Sequence, residues 1–162
     1  MMSRKFVVPV LFALLLGCAG MPEFDTSGVD RSLTPQSVNA EPEASRGKVA
    51  LWGGMILETR NLKATTQIEM LAYPLDADYR PMLESKPLGR FIIEHTGYLE
   101  PTTYAQGRQL TALGSVNGSQ EGRVGETSYT YPVISDSQLH LWSPSDSGRT
   151  NVHFGLGVGI GL

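Results

Sequence analysis

The side chains that could take part in covalent, acid–base or metal chemistry are few in this 162-residue chain. There is one cysteine, Cys18, and there are three histidines, His95, His140 and His153. Glu94 precedes His95, but neighbouring residues on a strand point to opposite faces and would not act together on one substrate. The histidine spacing does not resemble a zinc site. We therefore predict no catalytic residues and no metal ligands, and we expect His95 to be a partly buried, hydrogen-bonded residue of the core.

The serine- and glycine-rich stretches also lack a catalytic or phosphate-binding pattern. "LGSVNGS" (113–119) does not contain the G-x-S-x-G nucleophile elbow, and the glycines of "VNGSQEGRVGE" (116–126) are not followed by the Lys-Ser/Thr of a phosphate loop. The Asn-Gly pair in that stretch predicts a turn. Asp76 and Asp78 lack the remaining ligands of a calcium loop and are expected to be solvated loop acids. The sequence predicts no cofactor.

Cys18 stands directly behind an apolar run near the N-terminus. Residues 6–16, "FVVPVLFALLL", follow two basic residues and are apolar throughout. The run is too short for a spanning helix, which needs about 20 residues, and is typical of a secretory signal. The next residues, "LLGC" (15–18), resemble the bacterial lipobox, which implies cleavage before Cys18 and acylation of its thiol and new amino group. We predict a signal peptide over residues 1–17 and lipidation of Cys18.

The residue after Cys18 bears on the final location of such a lipoprotein. Where the usual bacterial sorting rule holds, Asp at this position retains a lipoprotein in the inner membrane, whereas Ala19 permits export to the outer membrane. Each buried methylene contributes about 0.8 kcal/mol, so three acyl chains would attach the protein permanently. The alternative is an ordinary signal peptide with an incidental cysteine, and a disulfide role lacks a second cysteine. We predict a lipid-anchored outer-membrane location that faces the periplasm.

The composition after cleavage limits the possible partners. The remaining 145 residues include 11 basic and 16 acidic ones, which gives a net charge of about −5 with neutral histidines. This length suits one domain plus a tether. An acidic chain lacks the electrostatic footprint of a nucleic-acid binder, so no nucleic-acid partner is predicted.

The first segment after the signal is predicted to be a tether. Residues 18–45 are polar and rich in Pro, Gly and Ser, with sparse large apolar residues and no sustained period. A short helical turn is expected near residues 35–40. A flexible segment of this length would span about 28 Å root-mean-square.

The region 46–143 has the alternating pattern of strands. "KVALWGGMILETR" (48–60) contains a Gly-Gly pair that predicts a bulge or a sharp coil in the strand. "YLEPTTYAQG" (98–107) predicts a short helix that begins near Pro101. The order of three strands, a short helix and two strands predicts an all-β, OB-like small barrel. An open sandwich remains the alternative.

The aromatic residues in and beside these strands are the candidates for ligand contact. Most of them are expected to fill or border the core, and a minority to line a groove for a peptide, a glycan or a small apolar ligand. They are Trp52, Tyr73, Tyr98, Tyr104, Tyr129, Tyr131 and Trp142.

Residues 144–162 form a glycine-rich C-terminal tail. Gly alternates with Leu, Val and Ile in "GLGVGIGL" (155–162), which would place all large side chains of a strand on one face. The tail could add an edge strand, lie on lipid or dock on an outer-membrane partner, or it could be a poorly ordered end.

Four stretches follow the lipobox in order along the chain. They are "LWGGMI" (51–56), "GRFIIEHTGYLEPTTYAQGRQLTALGSV" (89–116), "VGETSYTYPVI" (124–134) and "LHLW" (139–142). This ordered set resembles the Slp family, the starvation-inducible outer-membrane lipoproteins of Gram-negative bacteria, and the resemblance runs from about residue 35 to residue 142. It implies a periplasm-facing lipoprotein whose expression is linked to starvation or stationary phase, with no catalytic residues to carry over.

These observations support three hypotheses of function. The first is a non-enzymatic envelope stress or interaction module, with Cys18 as its acylation site and an unidentified envelope partner. The second is a periplasmic ligand carrier with an aromatic-bordered groove. The third, an envelope hydrolase, lacks a nucleophile–base set in the sequence. A carrier predicts a concave aromatic pocket, an interaction module a flat or exposed apolar patch, and a hydrolase a cleft of converging polar side chains.

Overall fold

The alternating segments form the wall of a small closed barrel in the computed structural model, which describes residues 22–144. The five strands close in the order β1-β2-β3-β5-β4, and all neighbours run antiparallel except the parallel pair β3 and β5. This confirms the predicted barrel and not the open sandwich. The strands are β1 (Val49–Asn61), β2 (Thr65–Tyr73), β3 (Arg90–Thr96), β4 (Gln109–Val124) and β5 (Thr127–Leu141).

The barrel interior is filled by the inward residues of each strand. In β2 buried residues alternate with partly exposed ones along the whole strand, as expected when one face lines the core. Burial of these side chains removes apolar surface from water, which is the main favourable contribution to folding. The fully enclosed large side chains of the strands include Ile56, Ile68, Met70, Phe91, Ile93, Leu110 and Ile134.

The Gly-Gly pair of β1 allows the neighbouring strands to approach closely and does not form the predicted bulge. Gly53 and Gly54 pair in regular register with Tyr73 and Ala72, and the register shift lies farther along, between Ile56 and Glu58. A Cβ at position 54 would collide with the carbonyl oxygen of the facing β2 strand, and one at position 53 would lie 2.7 Å from the Oγ1 atom of a threonine in β4. The absence of side chains at this point lets β1 fit between β2 and β4.

The last two strands, β4 and β5, form one long hairpin. The pair Asn117–Gly118, predicted as a turn, is a register shift within β4, with Gly118 at φ +105°. The hairpin turns instead between Val124 and Thr127. A glycine with a positive φ is favourable both in a turn and in a bulge. Because the residues that follow Gly118 continue to pair with β5, the chain forms a bulge here and not a turn.

Two short helices precede the barrel, and the helix predicted near Pro101 is absent. Residues 101–104 make a turn, in which the amides of Thr103 and Tyr104 donate to the carbonyl oxygen of Glu100. The helices are α1 (Pro35–Ala40) and α2 (Pro42–Ser45). The helical turn expected near 35–40 is therefore confirmed. Thr34 and Ser37 form a reciprocal capping box at its start, which satisfies amides that a helix N-terminus leaves free.

The segment predicted as a tether is folded onto the barrel over its described part. Phe24, Leu33 and Val38 are buried, and Val38 and Leu33 belong to the main core. The Asn39 side chain donates to the carbonyl oxygen of Thr130 at 2.8 Å. Sequence periodicity missed this because three widely spaced apolar residues give no regular pattern, although each finds an apolar surface. Of the segment assigned to the tether, only residues 18–23 precede Phe24.

Among residues 22–144, no helix has the length and apolarity needed to cross a membrane. Residues 1–21 and 145–162 lie outside the described part, and with them the predicted signal peptide, the glycine-rich end of the tail, Cys18 and His153.

Replacing Gly54 by Ala is expected to destabilise the protein by about 3 kcal/mol, since the new methyl group overlaps the backbone of β2. Urea unfolding monitored by tryptophan fluorescence measures this loss. Gly28→Ala is the matched control, because no atom lies within 4 Å of a Cβ at that position, and its effect should stay within about 0.5 kcal/mol. Equal midpoints for the two variants would show that β1 and β2 do not approach this closely.

Candidate functional site

One cleft in the domain combines aromatic and aliphatic walls, and it lies between the N-terminal segment, the strands β1 and β2, and the loop that follows β2. Its volume is about 240 Å³. Leu51 and Trp52 come from β1, and Ala72 and Tyr73 come from β2, so that one side of the cleft is rigid sheet. The other apolar residues of the lining are Val29, Leu33, Pro35, Pro74, Leu75, Tyr79 and Leu88.

The first wall of the cleft is the N-terminal segment, which is fixed by two contacts with β1. The indole N–H of Trp52 donates to the carbonyl oxygen of Leu33 at 2.9 Å. The amide of Asp30 donates to the carbonyl oxygen of Val49 at 2.9 Å. A buried indole N–H requires an acceptor, and this requirement keeps residues 29–33 on the barrel.

The second wall is the loop after β2, and it contains a strained residue. The Asp76 carboxylate accepts the backbone amides of Asp78 and Arg80, which tightens the turn. Tyr79 adopts φ +65°, the only positive φ outside glycine among the described residues. A hydrogen bond of 2.8 Å from the Thr111 hydroxyl to the Tyr79 carbonyl oxygen holds this conformation. Strain of this kind, about 1–3 kcal/mol, is concentrated at functional sites.

Tyr79 also connects the two walls. Its ring packs edge-to-face against Phe24, with 5.7 Å between the ring centroids. Phe24 is the first buried residue of the described chain. The aromatic pair therefore joins the N-terminal segment to the loop after β2 beside the cleft.

The charges around the cleft are mostly engaged within the protein. The Asp30 carboxylate accepts two hydrogen bonds from Ser32, one from its hydroxyl at 2.6 Å and one from its backbone amide at 3.0 Å. These bonds, with a smaller contribution from nearby Lys48, hold the pKa of Asp30 below its ordinary value. The ammonium of Lys48 lies 3.6 Å from the same carboxylate. Arg31, which also lines the cleft, is exposed.

Two of the seven candidate aromatic residues, Trp52 and Tyr73, line the cleft, and the structure distributes the others elsewhere. Tyr98 is exposed and donates to Glu100, and Tyr104 packs against the main core. Trp142 stacks under the Arg80 guanidinium at 5.2 Å. The remaining two, Tyr129 and Tyr131, pack against each other at the second cluster.

Sequence reasoning missed Tyr79, an aromatic residue of the cleft lining. It lies in "PLDADYRP" (74–81), which was interpreted through its two aspartates alone. Asp76 and Asp78 are exposed, as predicted for loop acids. The signal that was available is the position of an aromatic residue in a short turn after a strand, where it can fold back over the strand end.

The histidine predicted to be hydrogen-bonded has a carboxylate partner. His95 Nδ1 lies 2.9 Å from an oxygen of Asp136, and the Asp136 side chain is only 6 % exposed. Thr66, the β2 neighbour of His95, is buried. The pair joins β3 to β5, and its partner could not be found from sequence spacing because the two residues are 41 positions apart. In residues 22–144, no three His, Cys, Asp or Glu side chains are grouped so that they could hold a metal ion.

A second polar cluster covers the outer face of β3. Arg90 and Glu69 form an ion pair at 2.7 Å, and the Tyr131 hydroxyl lies 3.2 Å from the same carboxylate oxygen. Burial, and then the negative charge of Glu69, raise the pKa of Tyr131 above its ordinary value. With Ile92 and Val133 buried beside Tyr131, this cluster packs the long hairpin against the outer face of β3.

We expect Trp52→Phe to loosen the first wall of the cleft, because it leaves the Leu33 carbonyl oxygen without its donor. A lost buried hydrogen bond costs about 1–2 kcal/mol, which corresponds to roughly 5–30-fold more frequent opening. The rate of tryptic cleavage after Arg31 measures this opening. Trp142→Phe is the control, since its indole N–H donates to Thr111 and not to the N-terminal segment. Equally fast cleavage in both variants would contradict this role of Trp52.

Comparison with known proteins identifies the family. Residues 15–155 match the outer membrane lipoprotein Slp family. The chain is 29 % identical to the uncharacterized lipoprotein YeaY of Escherichia coli over 143 residues, which cover 85 % of this chain and 72 % of the relative. It is 26 % identical to the outer membrane protein Slp of Escherichia coli, over 87 % of this chain and 76 % of the relative. An uncharacterized protein of Haemophilus influenzae is 30 % identical over 71 % of this chain and 60 % of its own length. The chain therefore belongs to the Slp family of outer membrane lipoproteins.

Proposed function

We propose that this outer-membrane lipoprotein is a non-enzymatic binding domain that faces the periplasm and is anchored by a lipid on Cys18. The observation that carries the anchor is the extent of the family match, which begins at Leu15 and so includes all four residues of the lipobox. The description of the matched family as outer membrane lipoproteins agrees with the proposed outer-membrane location.

The packing of the N-terminal segment supports a position close to the membrane. Phe24 is buried against Tyr79, and it follows Cys18 by only six residues. A fully extended chain spans at most about 3.3–3.6 Å per residue, so Phe24 would lie within about 21 Å of the lipidated residue. We infer that the barrel sits next to the leaflet, and that the cleft, whose wall begins at Thr26, lies on the side nearest the anchor.

The chemistry of the cleft supports binding as the activity. Its walls are mainly aliphatic and aromatic, and its Trp52 indole and its two carboxylates already have partners within the protein. Apolar lining with few polar groups is the usual character of a ligand-binding site. Acid–base catalysis needs a polar group placed to exchange protons with a substrate, and His95, which Asp136 contacts through Nδ1, is not among the residues that line the cleft.

The cleft favours the ligand carrier over a module that uses only a flat surface. A concave pocket with Trp52, Tyr73 and Tyr79 in its lining is the feature that a carrier requires. An association with starvation or stationary phase is a further part of the proposal, and it rests on the family resemblance. Its test is immunoblotting of the protein through exponential and stationary growth.

We expect Cys18→Ser to abolish lipid attachment, because serine lacks the thiol that accepts the diacylglyceryl group. Intact-mass analysis of the membrane-extracted wild-type protein should show loss of residues 1–17 and added acyl mass. Fractionation should place the wild-type protein in the outer membrane and remove the variant from it.

Ala19→Asp tests the outer-membrane location separately from lipid attachment. This variant keeps Cys18 and should carry the same acyl mass, but the sorting rule predicts that it stays in the inner membrane. Ala19→Ser is the matched control and should reach the outer membrane. A soluble mature wild-type chain without acyl mass would overturn the proposed anchor.

A further inference from the structure

We propose that the cleft binds the single alkyl chain of an anionic amphiphile, with the chain between the two walls and the anionic end at Arg31. This inference deepens the proposed binding function, and it depends on the proposed anchor only for where the ligand comes from. Carboxylates and phosphates share the chemistry required of the anionic end.

The size and lining of the cleft favour a slender hydrocarbon. Its volume of about 240 Å³ is below the roughly 300–1,000 Å³ of sites for drug-sized molecules. Val29 and Leu33 face it from the N-terminal segment, and Leu75, Tyr79 and Leu88 from the loop side. Water is poorly held between such side chains, so an alkyl chain that displaces it gains affinity.

The hydrogen bonds already made in the cleft argue against a sugar or a peptide backbone as the ligand. The Trp52 indole N–H donates to the Leu33 carbonyl oxygen. The Asp30 carboxylate accepts a hydrogen bond from Ser32 and pairs with the Lys48 ammonium. The Asp76 carboxylate is used by two backbone amides of its own turn. Ligands with many hydroxyl or amide groups need matching polar partners when they are desolvated, whereas a hydrocarbon needs none.

Arg31 provides the complementary charge for the anionic end. It is exposed, and within residues 22–144 its guanidinium makes no hydrogen bond or ion pair. Asp30 and Asp76, the two acids of the cleft lining, already have partners within the protein. Arg31 is therefore the cation of the lining that is free to pair with an anionic ligand. A guanidinium presents a planar fork that binds a carboxylate or a phosphate with two hydrogen bonds.

The position of the cleft gives the ligand a source. Thr26 follows the proposed lipidation site by eight residues, which limits their separation to about 28 Å. Amphiphiles leaving the leaflet would therefore meet the cleft at short range. Free fatty acids and lipid phosphates are both possible sources, and they are distinguished by their head groups.

The test uses the full mature chain, residues 18–162, with Cys18→Ser so that no attached lipid competes. Dodecanoate, dodecyl phosphate and dodecyltrimethylammonium are titrated by calorimetry below their micelle-forming concentrations, and native mass spectrometry gives the stoichiometry. We expect one dodecanoate or dodecyl phosphate per chain and at least tenfold weaker binding of the cationic amphiphile. Preference between the first two identifies a fatty acid or a lipid phosphate as the source.

Two variants and their controls locate the binding. Thr26→Trp places an indole in the cleft and should weaken dodecanoate binding at least tenfold, whereas Leu62→Trp, at an exposed position in the distant β1–β2 turn, should not. Arg31→Gln should weaken the binding of both anions several-fold and leave the cationic probe unchanged. Lys63→Gln removes the same charge from another exposed residue and should have no effect.

The absence of saturable anion binding, or equal binding by all four variants, would overturn the proposal. Equally tight binding of the cationic probe would overturn the role of Arg31. Arg31→Gln changes an exposed side chain, so its result does not depend on whether the larger Thr26→Trp substitution is tolerated. Because the titration is made in solution without an anchor, a failure of Cys18 lipidation would leave its outcome unchanged, and the two proposals can fail separately.

Discussion

Burial of Trp52 is the constraint on which the site depends. Its ring packs edge-to-face against Phe91 in the core, with 5.1 Å between centroids, and its indole N–H must find an acceptor when removed from water. That acceptor is the carbonyl oxygen of Leu33. The N-terminal segment is therefore required by the barrel core, and the cleft exists because this segment stays in place. The adjacent Gly53 and Gly54 allow the neighbouring strands to approach at the same point.

The position of the cleft joins the two parts of the proposed function. The segment that forms its first wall is the same one that leads back to Cys18 within a few residues. A lipid anchor and a binding site separated by so short a link act at the same surface, since the chain cannot carry the barrel far away. The strained Tyr79, fixed by Thr111 of β4, completes the opposite wall from within the barrel. In the proposed function, membrane attachment and ligand access are thus placed on one side of the domain.

The barrel and much of its core were predictable because they rest on local patterns. The alternating pattern of residues 46–143 indicated strands, β2 shows the expected alternation of burial, and the count and order of strands indicated a small barrel. Predictions failed where one local signal fits two structures. Asn117–Gly118 is typical of a turn, yet strand pairing on both sides makes it a bulge. Pro101 is compatible with a helix start, but the chain there makes a single turn before returning to the barrel. Of the cleft, Trp52 and Tyr73 were among the candidates, and Tyr79 was not.

The sequence by itself determined the strand periodicity, the acidic character and the resemblance to a lipobox, because periodicity and motif are read from neighbouring residues and charge from composition. Only the tertiary structure decided that residues 24–45 are part of the folded domain, since Phe24, Leu33 and Val38 are too far apart to form a pattern and are buried by surfaces distant in the chain. It also decided the pairing of His95 with Asp136 and the meeting of Phe24 with Tyr79. These contacts depend on strand closure, which brings together residues whose separation in sequence carries no information about their distance in space.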